Sequence, residues 1–458
     1  MVQMIAHNLS HEVSQNPRIR IATDICRTLH AAGFEAWWVG GCVRDFVLDP
    51  QKIPSDIDIA TNASFSQVQK VFPEIIAIGR AFGVGLLNNG GFSFEIATFR
   101  KESDYSDRRH PNQVGPGSME EDSQRRDFTI NALYFDPLNH TIADFHGGLK
   151  DLERKVIRCV GNAQERLYED PLRIFRLFRF ASNLDLAIEP STRDAAQRLV
   201  SELKFVSKER FLLEISKLKP HALKNFTQLA QHTLSELIGV PLQDRTRIPS
   251  SLTLPSQAFQ HSGTLLVLMC IWQSSSNDID WAARLSDWPL TLEDKAHIEF
   301  IRRVNLGQFS IPIQEQSCPD FLNEIRWLSK QNRIRVCDAD WIFSATPTPN
   351  QQNSHFLKLS LPLLRQDDAQ ISIGQAFTKL VSARAKPLHK ELQHWAHDKS
   401  PETLGWARLI SEVIILMDLC NVPVETRPAS LSQVATGRLE TVCKLAEKMS
   451  GLNTKRRQ

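Results

Sequence analysis

The 458-residue chain contains 42% hydrophobic and 23% charged residues, which is ordinary globular composition and excludes disorder as the main state. It is too long for a single hydrophobic core, so about two to four domains are expected. Lys and Arg number 54 against 52 Asp and Glu, giving a formal net charge of only +2. Any nucleic-acid surface must therefore gather its positive charge locally.

The chain shows no targeting or cross-linking signal. Its eight cysteines form no Cys-x-x-Cys pair, so neither a zinc site nor a disulfide framework is supported. The first fifteen residues lack the apolar core of a signal peptide. The longest apolar stretch, 265–272, is far shorter than the ~20 residues of a membrane helix. We expect a soluble, cytoplasmic protein with no membrane partner.

The first third of the chain predicts a mixed sheet with helices. In chain order, the patterns predict a helix over 19–32, a strand over 36–39 that runs into two glycines, a strand over 56–60, a short helix over 65–72, a hairpin of 84–87 and 92–99, a mobile loop over 102–118, and further strands over 127–135 and 156–160.

Beyond about residue 161 the strand signals fade and long amphipathic stretches follow, at 171–183, 209–217, 376–385 and 407–420. Polar breaks near 241–258 and 345–354 are candidate boundaries. The predicted fold class is α+β, with an α/β head followed by a helical remainder.

Asp56 and Asp58 lie two residues apart, so on a strand both carboxylates emerge from one face. Such a pair repels itself unless a cation lies between, and Mg²⁺ takes one or two carboxylates plus substrate phosphates. Bound ions of this kind activate an attacking hydroxyl and stabilise departing pyrophosphate. Alone, Asp-x-Asp is a weak signal, because most such pairs are solvated turns. Glu95, between apolar neighbours, is either a third site acid or a surface residue.

Gly40 and Gly41 follow a predicted strand and lead into a helix start that carries Arg44. Glycines let backbone N–H groups approach a phosphate, the helix N-terminus adds positive potential, and Arg44 offers a charged fork. The alternative is a structural glycine turn with a surface arginine.

Five motifs in this order closely resemble the class II CCA-adding tRNA nucleotidyltransferases and the bacterial poly(A) polymerases. They are Gly40-Gly41-Cys42-Val43-Arg44-Asp45, Asp56-Ile57-Asp58, Arg125-Arg126-Asp127-Phe128-Thr129-Ile130-Asn131-Ala132, Asp144 with Gly147-Gly148, and Glu169-Asp170-Pro171-Leu172-Arg173.

The resemblance implies a polymerase-β-like nucleotidyltransferase head over 1–160, a helical neck with a base-reading motif over 161–240, a helical body over 241–380 and a helical, RNA-binding tail over 381–458. It further implies that Asp56 and Asp58 hold Mg²⁺ ions, with Glu95 completing the carboxylate set. The RNA 3′-hydroxyl then attacks the α-phosphate of CTP or ATP, and pyrophosphate leaves.

The resemblance also assigns nucleotide-binding residues. It puts Arg126, Asp127 and Asn131 near the ribose and phosphates of the incoming nucleotide, beside Gly40, Gly41 and Arg44. It makes 169–173 a protein template for the base. Cytosine and adenine both present an amine beside an unprotonated ring nitrogen, which a carboxylate (Asp170) and a guanidinium (Arg173) read, whereas uracil and guanine do not match.

Other residues carry weaker expectations. Asp170 and Arg173, three apart, are expected on one helix face, where the alternative is a simple ion pair. Arg176 and Arg179 continue that spacing as a basic ridge, which either steers the triphosphate or the RNA end or is a solvated helix face. Arg210, Glu214 and Lys217 resemble the family's last, mainly structural motif.

Several activities remain open. CCA addition to the tRNA 3′ end, using CTP and ATP, is favoured because the loop before Arg125 is near full length and 79–85 follows the CCA-adding pattern. Poly(A) addition to RNA 3′ ends, A-only addition and a catalytically silent RNA-binding protein are the alternatives. The oligomeric state is not determined by the sequence.

Overall fold

The structure is a computed structural model. It describes residues 2–7, 9–79, 83–105, 111–242, 254–274, 279–305, 327–328, 330–346, 370–376 and 379. The chain divides into two compact units, Met1–Gly239 and Val240–Gln458. The predicted division into four domains stays a prediction. Among the described residues, no helix is both long and apolar enough to cross a membrane.

The strands of the first unit lie between residues 3 and 188. They are β1 Gln3–Ala6, β2 Ala36–Val39, β3 Asp58–Thr61, β4 Ile76–Gly79, β5 Val84–Asn89, β6 Phe92–Thr98, β7 Arg100–Tyr105, β8 Pro111–Pro116, β9 Leu133–Asp136, β10 Thr141–Asp144, β11 Val156–Ile157 and β12 Ala187–Ile188.

The described α-helices of both units lie between residues 11 and 345. They are α1 His11–Gln15, α2 Pro17–Ala31, α3 Gly41–Leu48, α4 Phe65–Val71, α5 Met119–Gln124, α6 Gly148–Glu153, α7 Ala163–Glu169, α8 Leu172–Leu184, α9 Pro190–Arg198, α10 Lys208–Ser216, α11 Leu223–Leu229, α12 Gln231–Ile238, α13 Ser262–Gln273, α14 Trp281–Arg284, α15 Leu292–Asn305 and α16 Val336–Ala345.

One eight-stranded mixed sheet organises the first unit, in the order β1-β10-β9-β2-β3-β6-β5-β4. Only the β3–β6 pair is parallel; the other neighbours run antiparallel. The predicted α+β class is confirmed. Trp38, Phe46 and Phe135 pack together, with ring centroids 5.4 and 5.2 Å from Phe135. This core fixes β2 and β9, and with them the start of α3.

The predicted hairpin is present as β5 and β6. Gly90 and Gly91 connect the strands with φ of 58° and 81°, the left-handed conformations that a two-residue turn requires. On β6, Phe94 and Ile96 are buried while Glu95 is exposed. This alternation gives the sheet one functional face at that position.

Three sequence predictions differ from the structure. The predicted loop at 102–118 includes a two-stranded ribbon, β7 with β8, in which Pro111 and Pro116 stand at the strand ends, where a missing N–H costs no ladder bond. The segment 127–135 contains the 3₁₀ turn Thr129–Asn131, and only its end is a strand. The strand at 156–160 is short, and it pairs with β12 outside the large sheet.

The predicted helices at 171–183 and 209–217 are confirmed as α8 and α10. The predicted helix at 407–420 lies outside the described residues, as does nearly all of the one at 376–385. The apolar stretch 265–272 is the buried centre of α13, where the Trp272 indole donates to the Ala345 carbonyl at 2.8 Å.

Candidate active site

Two carboxylates stand side by side on the exposed face of the sheet. Asp58, the first residue of β3, is in register with Glu95 of β6, and both side chains are exposed. Partial burial, the Glu95 charge and the Asp56 charge raise the pKa of Asp58 to about 6, while Arg126 lowers it. Adjacent like charges disfavour ionisation, so this pair suits a cation.

Asp56 is exposed and precedes β3 instead of forming part of it. The strand rule that predicted a shared face with Asp58 therefore does not apply to it. Its carboxylate is nonetheless close enough to raise the pKa of Asp58. The three predicted site acids thus lie together, with Asp56 on the loop that leads into the strand.

The predicted glycine turn and helix start are present beside these acids. Gly40 has φ 77° and is the N-cap residue of α3, and its N–H donates to the Leu133 carbonyl at 3.1 Å. A Cβ on Gly40 would lie 3.2 Å from Nη1 of Arg126, and one on Gly41 3.6 Å from Nη2 of Arg44. Both guanidinium groups therefore lie over the turn.

Arg126 is held in place by two groups that sequence reasoning missed. Its Nη2 donates to Asp122 at 3.2 Å and its Nε to the Tyr134 hydroxyl at 3.0 Å, while that hydroxyl donates to Asp122 at 2.6 Å. Asp122 is only 1% exposed and Arg126 lowers its pKa. The i,i+4 spacing of Asp122 and Arg126 was the available signal.

A chain of hydrogen bonds links the predicted nucleotide-binding residues. The Arg44 Nη1 donates to the Asn131 amide oxygen at 2.7 Å, and the Asn131 amide nitrogen donates to Asp127 at 3.0 Å. Asp127 then accepts from Nε and Nη2 of Arg176 at 2.9 and 2.7 Å. Despite burial, Arg176 and Asn131 lower the pKa of Asp127 to about 2.

The solvated face that was one of the expectations for the ridge of Arg176 and Arg179 is not formed at Arg179. Arg179 is 7% exposed and its Nε donates to Glu214 at 2.6 Å; Arg176 Nη1 reaches the same carboxylate at 3.4 Å. Buried guanidinium groups need such partners, because an unpaired buried charge is strongly destabilising. Glu214 therefore joins α10 to α8, as expected of a structural motif.

The base-reading residues take partners other than each other. Asp170 lies between α7 and α8, not on a helix face, and accepts from Arg210 at 2.7 and 3.2 Å. Arg173 donates to Glu169 at 2.7 Å. Asp170 and Arg173 are therefore each held by a different charged partner.

Asp144 and its glycines have a structural role. The buried Asp144 carboxylate accepts from four backbone N–H groups, those of residues 146–149, at 2.8–3.1 Å and so caps α6. A Cβ on Gly148 would lie 2.2 Å from the Thr129 carbonyl oxygen. This motif thus fixes α6 against the turn that presents Asn131.

Residues 80–82 and 106–110, including Arg108, Arg109 and His110, lie outside the described residues.

The site combines an acid pair on adjacent strands of a mixed sheet with a glycine turn at a helix start, and two arginines lie above that turn. This arrangement defines a nucleotidyltransferase head. Residues 36–158 match the family described as the Poly A polymerase head domain. The resemblance predicted from the motifs is confirmed over this head region.

The chain is similar to individual CCA-adding enzymes and poly(A) polymerases. It is 42% identical over 198 residues to a CCA-adding enzyme of Oceanobacillus iheyensis, covering 43% of this chain and 49% of that protein. It is 40% identical over 220 residues to poly(A) polymerase I of Escherichia coli O157:H7, covering 45% and 47%. The chain thus spans about half the length of these curated relatives.

Among solved structures, the fold resembles the Thermotoga maritima CCA-adding enzyme complexed with tRNA CCA. The TM-score is 0.60 at 18% identity, covering 96% of this chain and 99% of that one. At this identity the likeness shows the fold alone.

Proposed function

We propose that this protein adds nucleotides from CTP and ATP to the 3′ end of tRNA, building the CCA terminus. The observation that carries the proposal is the Asp58–Glu95 pair at the start of β3, in register on an exposed sheet face beside the α3 turn. The similarity to CCA-adding enzymes supports tRNA as the acceptor. A cytoplasmic location is part of the same proposal.

The acid cluster fits a hard divalent cation such as Mg²⁺. Carboxylate oxygens are the ligands this ion prefers, and it completes its shell with water and substrate phosphates. Asp56 and Asp58 would hold it, with Glu95 alongside. The raised pKa of Asp58 reflects burial first, and then the repulsion from Glu95 and Asp56 that a cation relieves. When bound, Mg²⁺ supplies positive charge for the attacking hydroxyl and the departing pyrophosphate.

The glycine turn and Arg126 are proposed to receive the triphosphate. Backbone N–H groups at the start of α3 point out of the helix, and Gly40 and Gly41 present no side chain to block a phosphate. The Arg126 guanidinium lies over Gly40, braced by Asp122 and Tyr134, so its charge is positioned before the substrate arrives.

Arg44, Asn131, Asp127 and Arg176 are proposed to orient the ribose and phosphates from behind this turn. Their hydrogen-bonded chain fixes the Asn131 amide, whose oxygen accepts from Arg44 and whose nitrogen donates to Asp127. A fixed amide keeps one free N–H and one free lone pair, which suits discrimination of a ribose hydroxyl.

The base is proposed to be read by Asp170 and Arg173. Both must exchange their present partners, Arg210 and Glu169, for the base edge. These ion pairs order the two side chains. Cytosine and adenine offer an amine to the carboxylate and a ring nitrogen to the guanidinium, so the same pair serves CTP and ATP.

The reaction forms a bond between the RNA 3′ oxygen and the α-phosphorus. It breaks the bond between the α-phosphorus and the oxygen that bridges to the β-phosphate. The decisive experiment incubates the purified protein with tRNAs ending before A, before CA and before CCA, and with an unrelated RNA, using labelled CTP or ATP. Addition that completes CCA and then stops supports the proposal. No incorporation with any acceptor rejects it.

Poly(A) addition is the second candidate, and the similarity to poly(A) polymerase I favours it. In the same assay it gives an unbounded ladder from ATP on the unrelated RNA. Addition of a single A to tRNA ending in CC, with no use of CTP, identifies an A-only enzyme. A silent RNA-binding protein is disfavoured, because a mere binder gains nothing from the repulsion between Asp58 and Glu95.

A further inference from the structure

Three potential metal ligands meet in the second unit, away from every residue of the proposed active site in sequence. His261 directly precedes α13, His297 lies on α15 and Asp338 lies on α16. One ligand atom from each residue can be chosen so that all three lie within 4.8 Å of one another. The His297 Nε2 lies 3.9 Å from the Asp338 Oδ2.

Burial makes this cluster unusual. His297 is fully buried, Asp338 is 1% exposed and His261 is partly buried. The Nε2 atoms of both His261 and His297 are buried without a hydrogen-bond partner. Leaving two such nitrogens unsatisfied costs free energy that a bound ligand recovers.

The surrounding hydrogen bonds assign the proton on His297. The Thr264 hydroxyl donates its only hydrogen to Asp294 at 2.8 Å, so its contact with the His297 Nδ1 at 3.2 Å must be accepted from an Nδ1–H. The neutral His297 ring therefore carries its lone pair on Nε2, the atom near Asp338. A lone pair opposite a carboxylate calls for a cation between them.

The cluster also has an outer layer of the kind that supports metal ligands. Thr264 and Asp294 orient His297, and Arg335 donates to both oxygens of Asp338 at 2.6 and 3.0 Å. Asp338 Oδ1 also accepts from the Trp341 indole at 3.4 Å and the Cys337 thiol at 3.8 Å, whereas Oδ2, the oxygen near His297, keeps its second lone pair for a metal. Hydrogen bonds of this type, from residues that do not touch the metal, fix the orientation of the side chains that bind it.

We propose that His261, His297 and Asp338 bind one Zn²⁺-like transition-metal ion that joins the starts of α13 and α16 to α15. Tetrahedral Zn²⁺ with ligands at about 2.0–2.2 Å holds neighbouring ligand atoms about 3.3–3.5 Å apart. Two imidazoles and one carboxylate select a transition metal over Mg²⁺. Closing from the present separations requires side-chain shifts of about an ångström or less.

The absence of Cys-x-x-Cys pairs is an argument against a cysteine zinc site. It does not bear on this site, whose ligands are two histidines and an aspartate from three separate segments of the chain. The proposal is also independent of the nucleotidyltransferase site, whose acids would hold an oxygen-liganded ion. A metal here contributes stability, because an ion that binds only the folded state shifts unfolding in proportion to its affinity.

The test uses the full-length protein stripped with a chelator and then titrated with Co²⁺ or Zn²⁺. We expect one equivalent of Co²⁺ to give the intense visible absorption of a tetrahedral site with nitrogen ligands, Zn²⁺ to displace it, and the melting temperature to rise by several degrees. Weak, octahedral-type absorption alone, as oxygen ligands at the active site would give, overturns the proposal.

Two variants and one control locate the site. His261→Gln changes a residue that is only partly buried, so this variant is expected to fold. Asp338→Asn keeps the size of the side chain but changes a buried carboxylate, and the test stands on His261→Gln alone if the second variant is unstable. Each should abolish the tetrahedral signal. The exposed His232→Gln on α12 should retain it. Retention of the signal in folded His261→Gln overturns the assignment, as does a wild-type chain that binds no Co²⁺.

Discussion

The Asp170 carboxylate lies against the Arg210 guanidinium of α10, with Nη2–Oδ2 2.7 Å and Nη1–Oδ1 3.2 Å, while Arg173 holds Glu169. The acid and the base proposed to read the nucleobase are thus each ordered by a different partner. Arg173 is also anchored by the carbonyls of Arg166 and Arg125. Reading a base then requires a change of partners within a preformed frame, with little movement of the backbone.

Arg173→Ala should relax the choice of base. Removing the guanidinium takes away one of two directional contacts, so we expect the preference for CTP and ATP over UTP and GTP to fall about 10- to 100-fold, as for other paired base contacts. The measurement is kcat/KM for all four nucleotides. The exposed Arg198→Ala on α9 is the matched control and should leave the ratios unchanged. An equal loss for all four nucleotides would contradict base reading by Arg173.

Asp58→Asn should abolish incorporation without unfolding the protein. We expect turnover to fall by about 10³-fold or more, equivalent to about 4 kcal/mol of activation free energy. The melting temperature should not fall, because the substitution removes repulsion with Glu95 and Asp56. Glu74→Gln, an exposed acid before β4, is the control. Wild-type turnover in Asp58→Asn would refute the proposed role.

The Asp127–Arg176 pair should make stability depend on pH in the acid range. The pKa of Asp127 is about 2 in the folded chain and about 3.9 when unfolded. A lowered folded pKa means that the stabilisation is complete above about pH 4 and is lost as the pH falls through about 2. The contribution at neutral pH is about 2–3 kcal/mol.

Asp127→Asn removes this contribution. Urea unfolding should therefore show a deficit in the variant at pH 7 that narrows as the pH is lowered from 4 towards 2. Asp49→Asn, an exposed acid after α3, should show no such change. A deficit of the same size at every pH would mean that Asp127 acts through shape and not through its charge.

Gly148→Ala should be strongly destabilising. The added Cβ would lie 2.2 Å from the Thr129 carbonyl oxygen, a backbone atom that cannot rotate away. Forcing such atoms apart in a packed site costs about 1–3 kcal/mol. Gly115→Ala, whose Cβ would meet only Lys101 side-chain carbons at 3.7 and 4.0 Å, is the control. Comparable melting temperatures for the two variants would disprove the steric argument.

Local patterns predicted much of the head. The alternation around Glu95, the glycine pair at 90–91 and the helix start after Gly40 each depend on neighbours within a few residues. Sequence patterns gave wrong predictions where residues distant in the chain determine the local structure or the burial of a side chain. Asp56 stands before its strand, β11 pairs outside the main sheet, and Arg179 is buried against Glu214 from a different helix.

The amino-acid order alone determined the class of fold, the acids and glycines of the site and the family they resemble, because strand alternation, turn chemistry and motif spacing are local properties. The tertiary structure decided which groups meet. It brought Asp58 beside Glu95 across strands, Asp127 beside Arg176, and His261 near Asp338, since electrostatic interactions weaken with distance and groups far apart in the chain interact only after folding brings them together.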